Sequence, residues 1–298
     1  MSKLAPAQPE TSDVAEKTSK PKSNLTVRLL TTIVLGPLLL SVLFFGPPWA
    51  WAALISLAAF QVGRELLFMS HPGDRVSQWL GASMAGGMCA ITYLSAGKGG
   101  DPRVFFTAVV VALISGAMIP LTRLGQIPSA ALRLMSGMAT PLYVGVLLSC
   151  LALVRRDGWG DTGDFGPQYV FLTLQIAWMG DTGGYVFGRI WGRTKLYKAI
   201  SPKKTREGLL GSVIFSTGSA LLASFTYLPQ IPPSHTLVLG VLGGVLGLMG
   251  DLVESLLKRS TGVKDSGNIL PGHGGLFDRV DALLIVGPLV YLYQLWLA

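Results

Sequence analysis

The chain has 298 residues, of which 50% are hydrophobic and only 13% are charged. A soluble domain carries roughly 25% charged residues, so this composition excludes a single soluble globular domain. The net charge of +8 fits a partner such as nucleic acid or acidic lipid, or it reflects membrane topology, and the placement of the charges along the chain decides between these.

The first 23 residues differ in composition from the rest of the chain. They are rich in Pro, Ser, Lys and Glu and lack the apolar core of a signal peptide, which predicts a disordered cytoplasmic tail. Apolar stretches of about 20 residues follow, and this is the length that crosses a bilayer. We therefore predict an all-α polytopic membrane protein with about nine transmembrane helices. The predicted spans are 27–46, 49–68, 79–96, 104–122, 135–154, 168–190, 209–228, 235–257 and 281–297.

The basic residues give these spans an orientation. With a cytoplasmic N-terminus, the Lys and Arg residues that fall on the opposite side are only Lys98, Arg103, Arg155 and Arg156. This distribution satisfies the positive-inside rule. It predicts a multi-pass protein of the inner or plasma membrane, and it accounts for the charge without a nucleic-acid partner.

Ionisable residues divide the spans into two parts. Residues 24–166 form a front part of five spans with few charges, which we interpret as a transmembrane scaffold. Residues 167–298 form a back part of four spans that carry many charges at their ends, which we interpret as the catalytic region. Arg64 and Glu65 are the exception in the front part. They fit either an interfacial pair whose arginine reaches the lipid headgroups, or one edge of a site.

The eighth predicted span carries a row of polar residues. Its members lie at i, i+3, i+4 and i+7, which places them on one helix face. They are Asp251, Glu254, Ser255 and Lys258. A carboxylate in hydrocarbon costs roughly 3 kcal/mol or more, so this face needs partners, water or a metal ion. The glycines of this span, from Gly240 to Gly247, predict close helix packing instead.

Two further places combine carboxylates with glycines. Asp278 and Asp281 open the ninth span, where they are either helix caps or part of a site. They follow the turn Gly272-His273-Gly274-Gly275, whose glycines allow the backbone to approach a ligand closely. Asp181 stands among glycines in the sixth span, where it fits either a structural hydrogen bond or a third acidic wall of the same site.

Carboxylates without a cluster of His or Cys favour a hard divalent ion such as Mg²⁺. Basic residues beside them are suited to holding phosphates during phosphoryl transfer. These residues are Lys258, Arg259, Lys264 and Arg279. The loop "SPKKTREG" at 201–208 adds Lys203, Lys204 and Arg206, and it is either a positive-inside loop or a further part of the site.

The stretch "SLLKRSTGVKDSGNILPGHGGLFDRVD", from Ser255 to Asp281, resembles the signature of phosphatidate cytidylyltransferases, also called CDP-diacylglycerol synthases. Its Lys-Arg, Lys-Asp, Pro-x-His-Gly-Gly and Asp-Arg-x-Asp elements are all filled. The segments "GDLVESLLKR", "SPKKTREGLLG" and "DTGGYVFGR" are also similar to the family, so the resemblance covers about residues 170–298. The sequence departs from the family at Gly180, where many relatives have Asn, and at Arg206, where an aromatic residue is common.

The resemblance implies a transfer of the cytidylyl group of CTP to phosphatidic acid, with Mg²⁺ as cofactor and a homodimer in the membrane. The candidate metal ligands are Asp251, Asp278 and Asp281, and Asp181 could join Asp281 at a second ion. The candidate catalytic residues are Asp251, Asp278, Lys258, Arg259 and Lys264. The candidate substrate-binding residues are Lys203, Lys204, Ser255, His273, Arg279 and Asp181.

Two other functions use similar residues. A CTP-dependent polyprenol or lipid kinase would attack the γ-phosphorus and release CDP, but the complete signature favours the cytidylyltransferase. An ion-coupled transporter would use intramembrane carboxylates, but it does not need phosphate-binding cations, and the sequence shows no inverted repeat.

Overall fold

The computed structural model describes residues 25–96, 100–123, 127–160, 163–269 and 274–297. The predicted tail of residues 1–23 and the candidate residue His273 lie outside these ranges. The helices are α1 Leu25–Phe45, α2 Pro48–Ser70, α3 Arg75–Ser95, α4 Pro102–Thr122, α5 Ala130–Thr140, α6 Leu147–Asp157, α7 Gly166–Ile190, α8 Arg206–Phe225, α9 Pro233–Ser260, α10 Phe277–Val280 and α11 Leu283–Trp296. A π-helical turn, Pro141–Val146, joins α5 to α6.

The predicted helical class is confirmed, because a helix occupies each of the nine predicted spans within the described ranges. Helical segments that are long and apolar enough to cross a membrane number five in this described part. They are Pro48–Ser70, Pro102–Thr122, Ile127–Asp157, Arg206–Phe225 and Pro233–Ser260. The last helix, α11, has 14 residues, which gives about 21 Å and falls short of a hydrocarbon core of about 30 Å. The figure of nine crossings therefore stays a prediction.

Two short antiparallel hairpins interrupt the helices. Strands β1 (Trp159–Gly160) and β2 (Gly163–Asp164) pair between α6 and α7. Strands β3 (Lys195–Tyr197) and β4 (Ser201–Thr205) pair between α7 and α8. The second of these regions is predicted from the sequence as a basic loop, and its hairpin form determines which of its lysines turns inward.

Glycines bring α7, α8 and α9 into close contact. A Cβ atom added at Gly183 of α7 would lie 2.2 Å from the carbonyl oxygen of Gly211 on α8. On the other side of α8, the Ser216 hydroxyl donates to the Gly240 carbonyl of α9 over 2.8 Å, and a Cβ at Gly240 would lie 2.4 Å from Thr217 Cα. The packing role predicted for the glycines of α9 is therefore confirmed. These three closely packed helices carry many of the charged residues of the back part.

This packing makes a stability prediction. Gly183→Ala should destabilise the protein by about 1–3 kcal/mol, because the new methyl group meets backbone that cannot move aside easily. Gly218→Ala on α8 is the matched control, since nothing lies within 4 Å of its Cβ position and alanine is the better helix former. The thermal unfolding midpoint in detergent should fall for the first variant only. Equal midpoints for the two variants would contradict the tight contact.

Two arginines, the buried Arg155 and the half-buried Arg156, hold helix ends at the side opposite the charged cluster described below. Arg155 donates through Nε to the Leu43 carbonyl of α1 over 3.2 Å, and it pairs with Asp164 at 2.9 Å. Arg156 donates to the carbonyls of Tyr93 and Ala96 at the end of α3. Carbonyls at a helix C-terminus lack intrahelical partners, so these two cations have a structural task on the side where the sequence places few basic residues.

Candidate active site

Three carboxylates converge where α9 passes the turn between α10 and α11. Asp251 and Glu254 come from α9, and Asp281 comes from the turn. One oxygen from each lies within 4.8 Å of the others, and we refer to these three residues as the carboxylate cluster. Glu254 is 2% exposed and Asp281 is 9% exposed. Anionic oxygens this close and this buried require positive charge nearby.

The local sequence explains why the cluster forms. A spacing of three residues places Asp251 and Glu254 on the same face of α9. The residue before them, Gly250, has no side chain, and a Cβ added there would lie 2.5 Å from the backbone oxygen of Asp281. Only glycine permits this approach, so Gly250 brings the turn that carries Asp281 against the face that carries the other two carboxylates.

Two lysines neutralise the carboxylates of this region. Lys204 Nζ lies 2.5 Å from Asp251 Oδ2, and Lys258 Nζ lies 2.7 Å from both Glu254 Oε1 and Asp278 Oδ1. Both lysine side chains are 13% exposed. The alternation of β4 turns Lys204 inward while Lys203 remains exposed. The hairpin thus delivers one of the two predicted lysines to the cluster.

Asp278 organises the loop between α9 and α10. Its Oδ2 atom accepts hydrogen bonds from Gly275 N over 3.2 Å and from Ser266 Oγ over 3.1 Å, while Oδ1 pairs with Lys258. Burial alone would raise the pKa of the Asp278 carboxyl, but a hydrogen bond with Glu254 and the charge and hydrogen bond of Lys258 hold that pKa below its usual range. Asp278 therefore lies beside the carboxylate cluster and is joined to it through Lys258, and its role as a metal ligand stays a prediction.

The remaining predicted residues lie at the same end of the molecule or outside the described ranges. Asp181 on α7 is exposed and interacts electrostatically with Asp251, Lys204 and Arg279. Ser255 Oγ donates to Asp251 Oδ1 over 3.4 Å. The exposed members are Arg259, Lys264, Lys203 and Arg279. His273 and the Pro271-Gly272 step before it lie in the part of the loop that the structure does not describe.

Glu65 is a residue for which the sequence leaves two interpretations open. It is 4% exposed near the end of α2, in the front part of the chain. Its oxygens accept hydrogen bonds from the backbone N–H groups of Leu276 (3.0 Å) and Phe277 (2.8 Å) and from Ser266 Oγ (3.1 Å). Its neighbour Arg64 turns away and packs its guanidinium over the Trp79 ring at 4.8 Å. Of the two interpretations of this pair, the arginine fits the interfacial one and the glutamate fits the edge of a site.

Glu254 is predicted from the sequence as a member of the polar row of α9 but not as a metal ligand. The signal that could have found it is its position in the polar row of α9, one turn from Asp251 and four residues before Lys258. No local pattern identifies the partners of Glu65, because they lie more than 200 residues further along the chain.

Comparison with known proteins identifies the family of this chain. The family model described as the cytidylyltransferase family matches residues 26–297, and the chain belongs to this family. The match extends through both the front part and the back part, whereas the resemblance seen in the sequence covered only the back.

Individual relatives match over a shorter stretch. The phosphatidate cytidylyltransferase of Bacillus subtilis (strain 168) is 38% identical over 150 residues, which are 50% of this chain and 54% of the relative. That of Staphylococcus saprophyticus is 42% identical over 146 residues, 47% of this chain and 56% of the relative. That of Staphylococcus aureus (strain COL) is 41% identical over 148 residues, with the same two shares. The chain thus spans about half the length of the curated relatives it matches.

Proposed function

We propose that this protein transfers the cytidylyl group of CTP to phosphatidic acid and so produces CDP-diacylglycerol and pyrophosphate for phospholipid synthesis. The observation that carries the proposal is the carboxylate cluster of Asp251, Glu254 and Asp281 with two lysines bound at its edge. Family membership and the names of the relatives support the choice of CTP and phosphatidic acid as substrates.

The carboxylate cluster has the properties of a site for a divalent cation. The Glu254 side chain is 2% exposed, and its Oε1 atom lies 2.7 Å from Lys258 Nζ. A buried oxygen of this kind, with two further carboxylates within reach, suits a hard cation with oxygen ligands, and we propose Mg²⁺. Asp251, Glu254 and Asp281 would hold it, with Asp278 and Asp181 as further candidates if a second ion binds. The cation would supply positive charge to phosphate oxygens.

The lysines have a second task in this proposal. In the structure, Lys204 pairs with Asp251, while Lys258 pairs with Glu254 and Asp278. If a cation is held by these carboxylates, both ammonium groups would be available to contact phosphates. Lys203, Arg259 and Lys264 are exposed at the same end and can meet the phosphates that enter from water.

The reaction itself needs positioning more than proton transfer. An oxygen of the phosphatidate phosphate forms a bond to the α-phosphorus of CTP, and the bond from that phosphorus to the oxygen bridging to the β-phosphorus breaks, so that pyrophosphate leaves. The second ionisation of a phosphomonoester has a pKa of about 6, so the attacking oxygen is already charged at neutral pH and needs no general base. The protein must bring two anions together, and fixed cations supply most of the effect.

The membrane placement belongs to the same proposal. CTP is a soluble nucleotide, whereas the acyl chains of phosphatidic acid stay in the bilayer, so the reaction belongs at the interface. We propose that the end of α9, the β3–β4 hairpin and the N-terminus face the cytoplasm, as the distribution of basic residues favours. We also propose a homodimer, which the family resemblance alone supports.

A substrate-dependence assay tests this function. Purified protein in detergent, given CTP, phosphatidic acid and Mg²⁺, should release CDP-diacylglycerol and pyrophosphate in equal amounts, and a chelator should stop the reaction. Diacylglycerol is the matched control lipid, because it lacks the attacking phosphate. Release of CDP together with a phosphorylated lipid would instead identify a CTP-dependent kinase. Absence of turnover with every lipid would contradict the proposal and favour an ion-transport role for the carboxylates.

A further inference from the structure

We infer that Glu65 is a positioning residue for this site, because it holds Ser266 and the backbone at Leu276 and Phe277 so that Asp278 reaches Lys258. The role rests on the proposed function, since it concerns the same site. It assigns a task in the reaction to the front part of the chain, which the sequence presents as a scaffold.

Each carboxylate oxygen of Glu65 accepts two hydrogen bonds. Oε1 accepts from Leu276 N (3.0 Å), and Oε2 accepts from Phe277 N (2.8 Å) and Ser266 Oγ (3.1 Å). Gln61, one turn earlier on α2, donates to Oε1 over 2.9 Å. A side chain from one helix therefore binds both the beginning and the end of a loop that starts on another helix. An apolar residue in its place would leave the N–H groups of Leu276 and Phe277 without this acceptor, and the second of them is buried.

The glycines of the loop make room for this carboxylate. A Cβ added at Gly267 would lie 2.9 Å from Glu65 Oε1, and one added at Gly275 would lie 2.7 Å from Glu65 Oε2. The second position is also 2.0 Å from Ser266 Oγ. Any side chain at either position would push Glu65 or the loop away. Contact with Glu65 therefore explains why glycine stands at positions 267 and 275, on either side of the segment that the structure does not describe.

A chain of polar contacts leads from Glu65 to the carboxylate cluster. Ser266 Oγ lies 3.1 Å from Glu65 Oε2 and 3.1 Å from Asp278 Oδ2, so one hydroxyl links the two carboxylates. Asp278 then pairs with Lys258, and Lys258 pairs with Glu254. Each contact in this chain is 3.1 Å or shorter. If Ser266 and Asp278 shift, Lys258, which we propose to contact phosphate, shifts with them. A displacement of about 1 Å at such a group costs on the order of 10²-fold in rate.

The conservative variant Glu65→Gln tests this role. Its amide group keeps the size of the side chain but turns an N–H group toward Leu276 N or Phe277 N, so one backbone hydrogen bond is lost. We expect kcat to fall by about 10–100-fold while KM for CTP changes by about twofold or less. Hydrogen exchange at the amides of Leu276 and Phe277 should become faster. Ser70→Ala is the matched control on α2. Among the described residues, its buried hydroxyl hydrogen-bonds with Leu66 O and the His71 ring and with neither Leu276 nor Phe277, so both readouts should stay at wild-type values.

The outcomes separate this role from a purely structural one and from the proposed function. Wild-type kcat in a folded Glu65→Gln variant, or unchanged exchange at the two amides, would overturn the inference. If that variant does not fold, Ser266→Ala removes the shared hydroxyl and keeps both carboxylates, and it should lower kcat in the same direction with KM preserved; an unchanged kcat would again overturn it. If the wild-type protein makes no CDP-diacylglycerol, the proposed function fails, and the exchange experiment still decides whether Glu65 holds the loop.

Discussion

Asp251→Asn is expected to lower turnover by about 10²–10³-fold, the scale seen when a single electrostatic contact is removed from a reacting centre. Asp251 belongs to the carboxylate cluster and also pairs with Lys204 at 2.5 Å, so the neutral amide weakens the proposed cation site and removes the negative charge that faces this lysine. The measurement is steady-state turnover with CTP and phosphatidic acid over a range of Mg²⁺ concentrations. The apparent affinity for Mg²⁺ should fall together with kcat.

The control for this variant is an aspartate to asparagine change away from the cluster. Asp101 caps α4 by accepting from Arg103 N over 2.9 Å, and asparagine is an equally good cap. Asp101→Asn should keep wild-type turnover and Mg²⁺ dependence. Wild-type kinetics in Asp251→Asn would remove this residue from the proposed cation site.

Lys258→Met is expected to reduce both stability and turnover. Methionine retains the apolar stem but leaves Glu254 and Asp278 without the cation that lies 2.7 Å from each. Removal of one partner from a buried ion pair costs about 3–5 kcal/mol, because the other charge stays buried and unpaired. The thermal unfolding midpoint in detergent and the turnover rate should both fall.

Two further variants sharpen this prediction. Lys264→Met makes the same chemical change at an exposed position of the loop, so the unfolding midpoint should not change. The double variant Lys258→Met with Asp278→Asn removes one of the two orphaned charges, and it should recover part of the lost stability without recovering turnover. A midpoint for Lys258→Met equal to that of the wild-type protein would contradict the ion-pair arrangement.

The helices could be predicted from the sequence because their signal is local. Apolar runs of about 20 residues mark each of the nine predicted spans, and the polar row of α9 follows from the helical repeat alone. The spacing of Asp251 and Glu254 also placed both carboxylates on one face, although only the structure brings Asp281 to them. That step depends on Gly250, whose missing side chain lets α9 touch the turn after α10.

Other features depend on contacts between distant parts of the chain, and for these no local pattern exists. The β3–β4 hairpin has a basic and polar sequence that also fits a loop, and its pairing decides that Lys204 points to Asp251. Glu65 meets the loop between α9 and α10 across more than 200 residues of sequence. Asp278 lies near a helix start, but it also accepts hydrogen bonds from Gly275 N and Ser266 Oγ. Sequence spacing alone therefore could not decide whether it is a helix cap or a site residue.

The most direct test of the central claim follows each phosphorus atom of CTP. The purified protein is incubated with phosphatidic acid, Mg²⁺ and CTP that carries a label at either the α- or the γ-phosphorus, and the lipid and water-soluble products are separated. We predict that the α-label enters the lipid and the γ-label leaves in pyrophosphate. Entry of the γ-label into lipid, or the absence of label from lipid in both experiments, would contradict cytidylyl transfer at this site.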